Sequence, residues 1–189
     1  MDLAAILNES EKVAEYNGFT QKQTLQLRLL CEEIDGMLPN IIDDFEGDLW
    51  IEYENGVCKV NVSIAIPDFN INKKEELIDL AKDKKNAAAV GIVGKIRNSI
   101  QNFFLTDENS DNFVMSSGVF GLTSGAVYSE GADYAYLWTL EQYRWGVKKE
   151  EQTEEWDELE KSVIASVADD VIVGIKGKQA DITVIKKFF

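Results

Sequence analysis

Two runs of period-two hydrophobicity, each broken by a two-residue turn, restrict the fold of this 189-residue chain more than any other feature. Leu49, Ile51 and Tyr53 alternate with polar positions, Asn55-Gly56 follows, and Cys58, Val60, Val62, Ile64 and Ile66 alternate on the return. Strand side chains point alternately to the two faces of a sheet, and Asn-Gly favours the type I′ turn whose twist suits a hairpin. That turn pairs Glu54 with Val57, which sets Ile51 opposite Val60 and Leu49 opposite Val62 on one face. Glu52 and Lys59 then meet on the wetter face, where Trp50 is the bulky apolar exception. Near the other end, Val171, Val173 and Ile175 face Ala180, Ile182 and Val184 across Gly177-Lys178, leaving Asp181, Thr183 and Lys187 outward. A ribbon with one apolar face is marginal alone and requires a second layer over that face.

The segments between supply that layer. Leu3, Ile6, Leu7, Val13 and Ala14 mark a helix over 2–16 that Asn17-Gly18 stops. Thr20 with Gln23 has capping-box spacing, and Leu27, Leu30, Ile34, Met37 and Leu38 recur at helical intervals up to Pro39, which is expected to end or kink the helix. Pro67 closes the first ribbon, a short helix is expected over 72–81, and a longer one over 86–104 carries Ala89, Val93, Ile96, Ile100 and Phe103. The stretch 106–149 reads as an irregular insertion with short strands and a helix near 139–145. A last helix from about 153 bears Trp156, Leu159, Val163, Ile164 and Val167. These elements predict one α+β domain over 1–189: a two-layer α/β sandwich with a mostly antiparallel mixed sheet and helices on one face.

Composition narrows the function classes. Hydrophobic residues at 45% and charged residues at 28% suit a globular chain with a full core. A formal net charge of -15 repels phosphate backbones and anionic lipid at long range, so nucleic acid and membranes are poor partners. With His 0 there is no Ser-His-Asp triad, imidazole base or histidine metal ligand. Cys31 and Cys58 sit in a helical and a strand pattern and read as buried hydrophobes, which with the lack of a signal-like start favours the cytoplasm.

Chemistry must therefore rest on carboxylates, lysines, hydroxyls or a bound nucleotide. The segment LRLLCEEIDGML, 27–38, followed by a hairpin, with a helix and second hairpin closing the chain, resembles the Bergerat ATP-binding fold of the GHKL superfamily. KKNAAAVGIVGKIR over 84–97 and WDELEKSVIASVADDVIVGIKG over 156–177 resemble a bacterial subgroup of GHKL-like proteins. The resemblance implies ATP or ADP as ligand, a Glu that activates water and an Asn four residues later that holds Mg²⁺. It assigns the acid to Glu33, but the Asn position falls on Met37, a thioether poorly suited to a hard cation, so Mg²⁺ is badly served. At about 100° per residue, Glu33 flanks the Leu30/Ile34/Met37 stripe while Glu32 points nearly opposite it. A solvated carboxylate on the helix flank is the competing reading of Glu33.

The family's glycine-rich adenine loop corresponds to Pro67-Asp68-Phe69-Asn70, which keeps an Asp and no glycine. Asp68 is the candidate contact to an adenine amino group, or simply a turn residue. Gly91 and Gly94, with Lys84, Lys85, Asn86, Lys95 and Arg97 around them, are candidates to set a helix N-terminus and amines against phosphates, or to let a helix pack closely on the sheet. The acidic run Glu150, Glu151, Glu154, Glu155, Asp157 and Glu158 reads as a solvated helix start. Trp138, Tyr143, Arg144 and Trp145 read as core, or as the lining of a ligand or protein site.

The functional expectation is thus a GHKL-like nucleotide-binding protein with an eroded site and weak or no hydrolysis. The alternative is a non-catalytic regulatory domain of the anti-sigma or partner-switch kind that keeps the fold to bind another protein.

Overall fold

The computed structural model describes residues 2–41, 46–65, 92, 94–97, 100, 136–147 and 162–189. In chain order these form α1 (Leu3–Tyr16), α2 (Gln21–Ile41), β1 (Glu46–Glu54), β2 (Val57–Ala65), β3 (Tyr136–Thr139), α3 (Leu140–Val147), α4 (Val163–Val167), β4 (Asp170–Lys176) and β5 (Gln179–Lys187). Ile92, the residues 94–97 and Ile100 are also helical. The chain is α+β.

Both ribbons belong to one five-stranded sheet in the order β1-β2-β5-β4-β3. The closing pairs lie where the turns require: Glu54 opposite Val57 with Asn55 and Gly56 at φ 51 and 80, and Lys176 opposite Gln179 with Gly177 at φ 57. Antiparallel pairing of β2 with β5 joins the ribbons and brings their apolar faces into register. One row crosses the whole sheet: Leu49, Val62, Ile182, Val173 and Trp138. The next row is Ile51, Val60, Val184 and Val171. A slip of one residue at any of these junctions would turn an apolar row outward, so the pattern itself pins the register.

That face shares a core with Ile6 of α1, with Leu27, Leu30, Cys31, Ile34, Met37, Leu38 and Ile41 of α2, and with Ile92, Ile96 and Ile100. The helices begin and stop for legible reasons. Asp2 caps α1 by accepting the N–H of Ala4 at 3.0 Å, and Gly18 at φ 66 follows the helix end. Thr20 and Gln23 cap α2 reciprocally: Gln23 Oε1 accepts the Thr20 N–H at 2.8 Å, and Thr20 Oγ1 accepts the Gln23 N–H at 3.4 Å. Arg28 ties the two helices through Glu11 of α1 and Glu32 of its own helix.

Some expectations need correction. Pro39 does not end α2, which continues to Ile41. Burial of Met37, Leu38 and Ile41 holds the last turn on the sheet despite the N–H that proline lacks. Every strand pair is antiparallel, so the parallel pairing of a mixed sheet does not occur among the described residues. The short strand and the helix near 139–145 expected at the end of the insertion are present, as β3, which pairs with β4, and α3, into which it runs directly. Leu3 of the first apolar stripe is exposed, whereas Ser10 is buried and donates to the Leu7 carbonyl at 2.7 Å.

Candidate functional site

Along α2, Leu27, Leu30, Ile34, Met37 and Leu38 turn inward, and at about 100° per residue Lys22, Leu25, Gln26, Leu29 and Glu33 share a side roughly a third of a turn away. Gln21, Lys22, Leu25, Gln26 and Leu29 line a shallow open groove there. Glu33 follows one turn beyond Leu29, half-buried, with no hydrogen bond or ion pair among the described residues. Met37, which the expected GHKL resemblance would align with a magnesium-holding Asn, is 3% exposed and packs in the core. A side chain in that place cannot reach a ligand on the flank without leaving the core. Among the described residues no cluster of His, Cys, Asp and Glu could hold a metal ion.

Of the nucleotide-contact candidates, Asp68, Lys84, Lys85, Asn86 and Gly91 lie outside the described residues, as does the acidic run at 150–158. Gly94 is buried on its helix, between the core residues Ile92 and Ile96. Lys95 is half-buried, with its ammonium 5.8 Å from the centre of the Tyr143 ring, within cation–π range. Among the described residues no hydrogen bond or ion pair joins Glu33 to Lys95.

The aromatic segment divides. Trp138 is buried on the inner face of β3, and Tyr143 packs against it with ring centroids 6.0 Å apart. Trp145 is exposed. Arg144 is occupied by backbone: Nη1 donates to the Asp169 carbonyl at 3.0 Å, and Nη2 to the carbonyls of Ala168 at 3.2 Å and of Ala165. These oxygens lie at and just past the C-terminal end of α4, where carbonyls lack partners and the helix dipole favours a cation. Arg144 is a structural clamp.

Two polar clusters were hidden in the sequence. At the start of β4, Asp170 Oδ1 accepts the N–H of Glu141 and of Val171, each at 2.9 Å, while Asp169 Oδ2 accepts the Lys187 N–H at 2.6 Å and the Lys186 ammonium at 3.2 Å. The available signal was Thr139 with Gln142 three residues on, another cap spacing, and the Gln142 N–H does donate to Thr139 Oγ1 at 3.2 Å. On the outer sheet face, Glu52 accepts from Trp50 Nε1 and from Asn61 Nδ2, both at 3.2 Å, and Asn61 Oδ1 accepts from Thr183 Oγ1 at 2.9 Å. This chain links β1, β2 and β5, and it satisfies Asn61, which is 6% exposed.

Cys31 and Cys58 are buried and unbridged, and burial is the main cause that pushes each thiol up to about 12. Neither is poised as a nucleophile. No helix among the described residues is long and apolar enough to cross a membrane. No protein family, curated relative or solved structure matches the chain.

Proposed function

We propose that this chain acts by binding another protein and does not hydrolyse nucleotide, using a GHKL-like layered scaffold as a regulatory or partner-switching domain. The reading rests on Met37. In the family that 27–38 resembles, catalysis needs a polar metal ligand one turn after the acid, and here that position is a core thioether. A layered fold that has filled this position with core retains surfaces rather than a reaction centre. The test is size-exclusion chromatography coupled to cross-linking in extract of the native host. A partner in fixed stoichiometry is expected; a chain that elutes alone at every concentration speaks against the reading.

A second reading, nucleotide binding without turnover, is favoured by Glu33, half-buried and without a hydrogen-bond or ion-pair partner among the described residues, on the helix flank where the resemblance expects the acid. ATP or ADP would then bind weakly and with little dependence on Mg²⁺. Calorimetry with millimolar nucleotide, with and without Mg²⁺, decides it: no heat and no thermal shift removes nucleotide as a ligand.

A further inference from the structure

We propose that the free edge of β1 is a docking site for an extended, basic segment of a protein partner, which adds to the sheet as a sixth strand; this rests on the protein-binding reading above. β1 is terminal in the strand order, and among the described residues nothing hydrogen-bonds to its outer edge. The two-residue turn makes Glu54–Val57 a hydrogen-bonded pair, and such pairs alternate along an antiparallel ladder. Trp50 and Glu52 therefore bond across to β2, whereas Gly47, Leu49, Ile51 and Tyr53 direct their N–H and C=O groups away from it. Such a row is a template for strand addition, in which main-chain hydrogen bonds supply affinity and alternate side chains supply selectivity.

The side chains state what the added strand must look like. On the outer face, β1 presents Glu46, Asp48, Glu52 and Glu54, all exposed, with Trp50 among them and no base. On the inner face it presents Leu49, Ile51 and Tyr53, which are only half-buried, with no strand beyond them among the described residues. Tyr53 is held from one side by the Phe19 ring, with centroids 4.8 Å apart. A complementary strand alternates Lys or Arg, set against the acids, with aliphatic residues, which extend the Leu49 and Ile51 rows of the core. A second copy fits badly, since antiparallel pairing of β1 with itself sets acid against acid on the outer face whatever the centre of symmetry. The net charge of -15 acts in the same direction, attracting a basic segment and repelling another copy.

The experiment uses the full chain and a capped peptide of about nine residues alternating Lys with Val, matched to the length of β1. A Glu/Val peptide of the same length is the control. Amide exchange followed by NMR is expected to slow at Leu49, Ile51 and Tyr53 on adding the Lys/Val peptide, with Trp50 and Glu52 protected before and after. Affinity should fall at least about fivefold between 50 and 500 mM salt. It should fall at least about tenfold in Asp48→Lys/Glu54→Lys, which leaves the β1 backbone intact. Ile51→Pro removes an outward N–H while sparing the ladder to β2, and should abolish binding; its thermal unfolding shows whether the fold survives. Equal binding of the Glu/Val peptide, protection of these amides by concentration-dependent dimerisation alone, or no binding of either peptide overturns the proposal. If the peptides fail but a stoichiometric partner cross-links elsewhere on the chain, only the edge assignment falls. If both fail, the protein-binding reading falls with it.

Discussion

Asp170 Oδ1 accepts the backbone N–H of Glu141 at 2.9 Å, so the first residue of β4 closes the first turn of α3. Burial raises the Asp170 carboxyl above its ordinary 3.8, outweighing the N–H groups of Glu141 and Val171 and the Arg144 charge, which lower it. A carboxyl whose folded pKa exceeds its unfolded one favours the folded state most below the unfolded value, and that contribution is lost as pH rises through the folded pKa. Asp170→Asn keeps an oxygen for the N–H groups without a charge to desolvate. Its stability in urea is expected to match or exceed that of the parent at pH 7, with the gap closing towards pH 3. Asp170→Ala leaves both N–H groups without their acceptor and should cost about 1–3 kcal/mol at either pH.

Arg144 gives the complementary prediction at the other side of this corner. Its guanidinium serves the carbonyls of Ala165, Ala168 and Asp169 at once, a fan that a planar fork can span and an ammonium cannot. Arg144→Ala should destabilise the chain by about 1–3 kcal/mol in urea unfolding. Arg144→Lys should recover less than half of that loss. A full rescue by Lys would show that charge at the end of α4, rather than the fork, is what matters.

These corner contacts mark the limit of what the sequence discloses. The hairpins were readable to the exact pair because turn length and strand alternation are local and agree with each other: Ile51 had to meet Val60, and Val173 had to meet Ile182. The start of α2 was readable from Thr20 and Gln23 for the same reason. Which ribbon edges join was not, since β2 and β5 meet across more than a hundred residues and their periodicity is the same as that of β1 and β4. The Arg144 clamp leaves no signature, because its partners are backbone carbonyls that every residue carries. Of the two outcomes expected at Pro39, an end to α2 does not occur, because tertiary burial of Leu38 and Ile41 outweighs a local preference. Of the candidate site, the flank position of Glu33 followed from helical geometry, while the burial of Met37 followed from the same stripe that suggested the motif.

The cysteines yield a chemical prediction. Cys31 and Cys58 lie in the core with thiols pushed up to about 12, above all by burial, and thiolate is the reactive form. At pH 8 the folded chain should react with a thiol-directed disulfide reagent at least about a hundredfold more slowly than the chain in urea. Both thiols should appear together at the unfolding midpoint. Early release of one thiol alone would show that α2 or β2 opens separately from the rest of the core.

Met37 gives the most direct test of the binding-only reading. Met37→Ala empties part of a core shared with Ile34 and Leu38, and should cost about 2–5 kcal/mol. Met37→Asn supplies the residue that a GHKL alignment of 27–38 would expect, yet places an amide where the side chain is 3% exposed. Burying that amide without partners should itself cost at least about 2 kcal/mol, lowering the thermal midpoint and giving no gain in ATP hydrolysis with Mg²⁺. The parallel substitution Glu33→Gln, on the open flank, should leave stability within about 0.5 kcal/mol. If Met37→Asn instead folded normally and hydrolysed ATP in a manner abolished by Glu33→Gln, position 37 would have to face the same ligand as Glu33. The binding-only reading of this chain would then give way to that of an ATPase one residue short of activity.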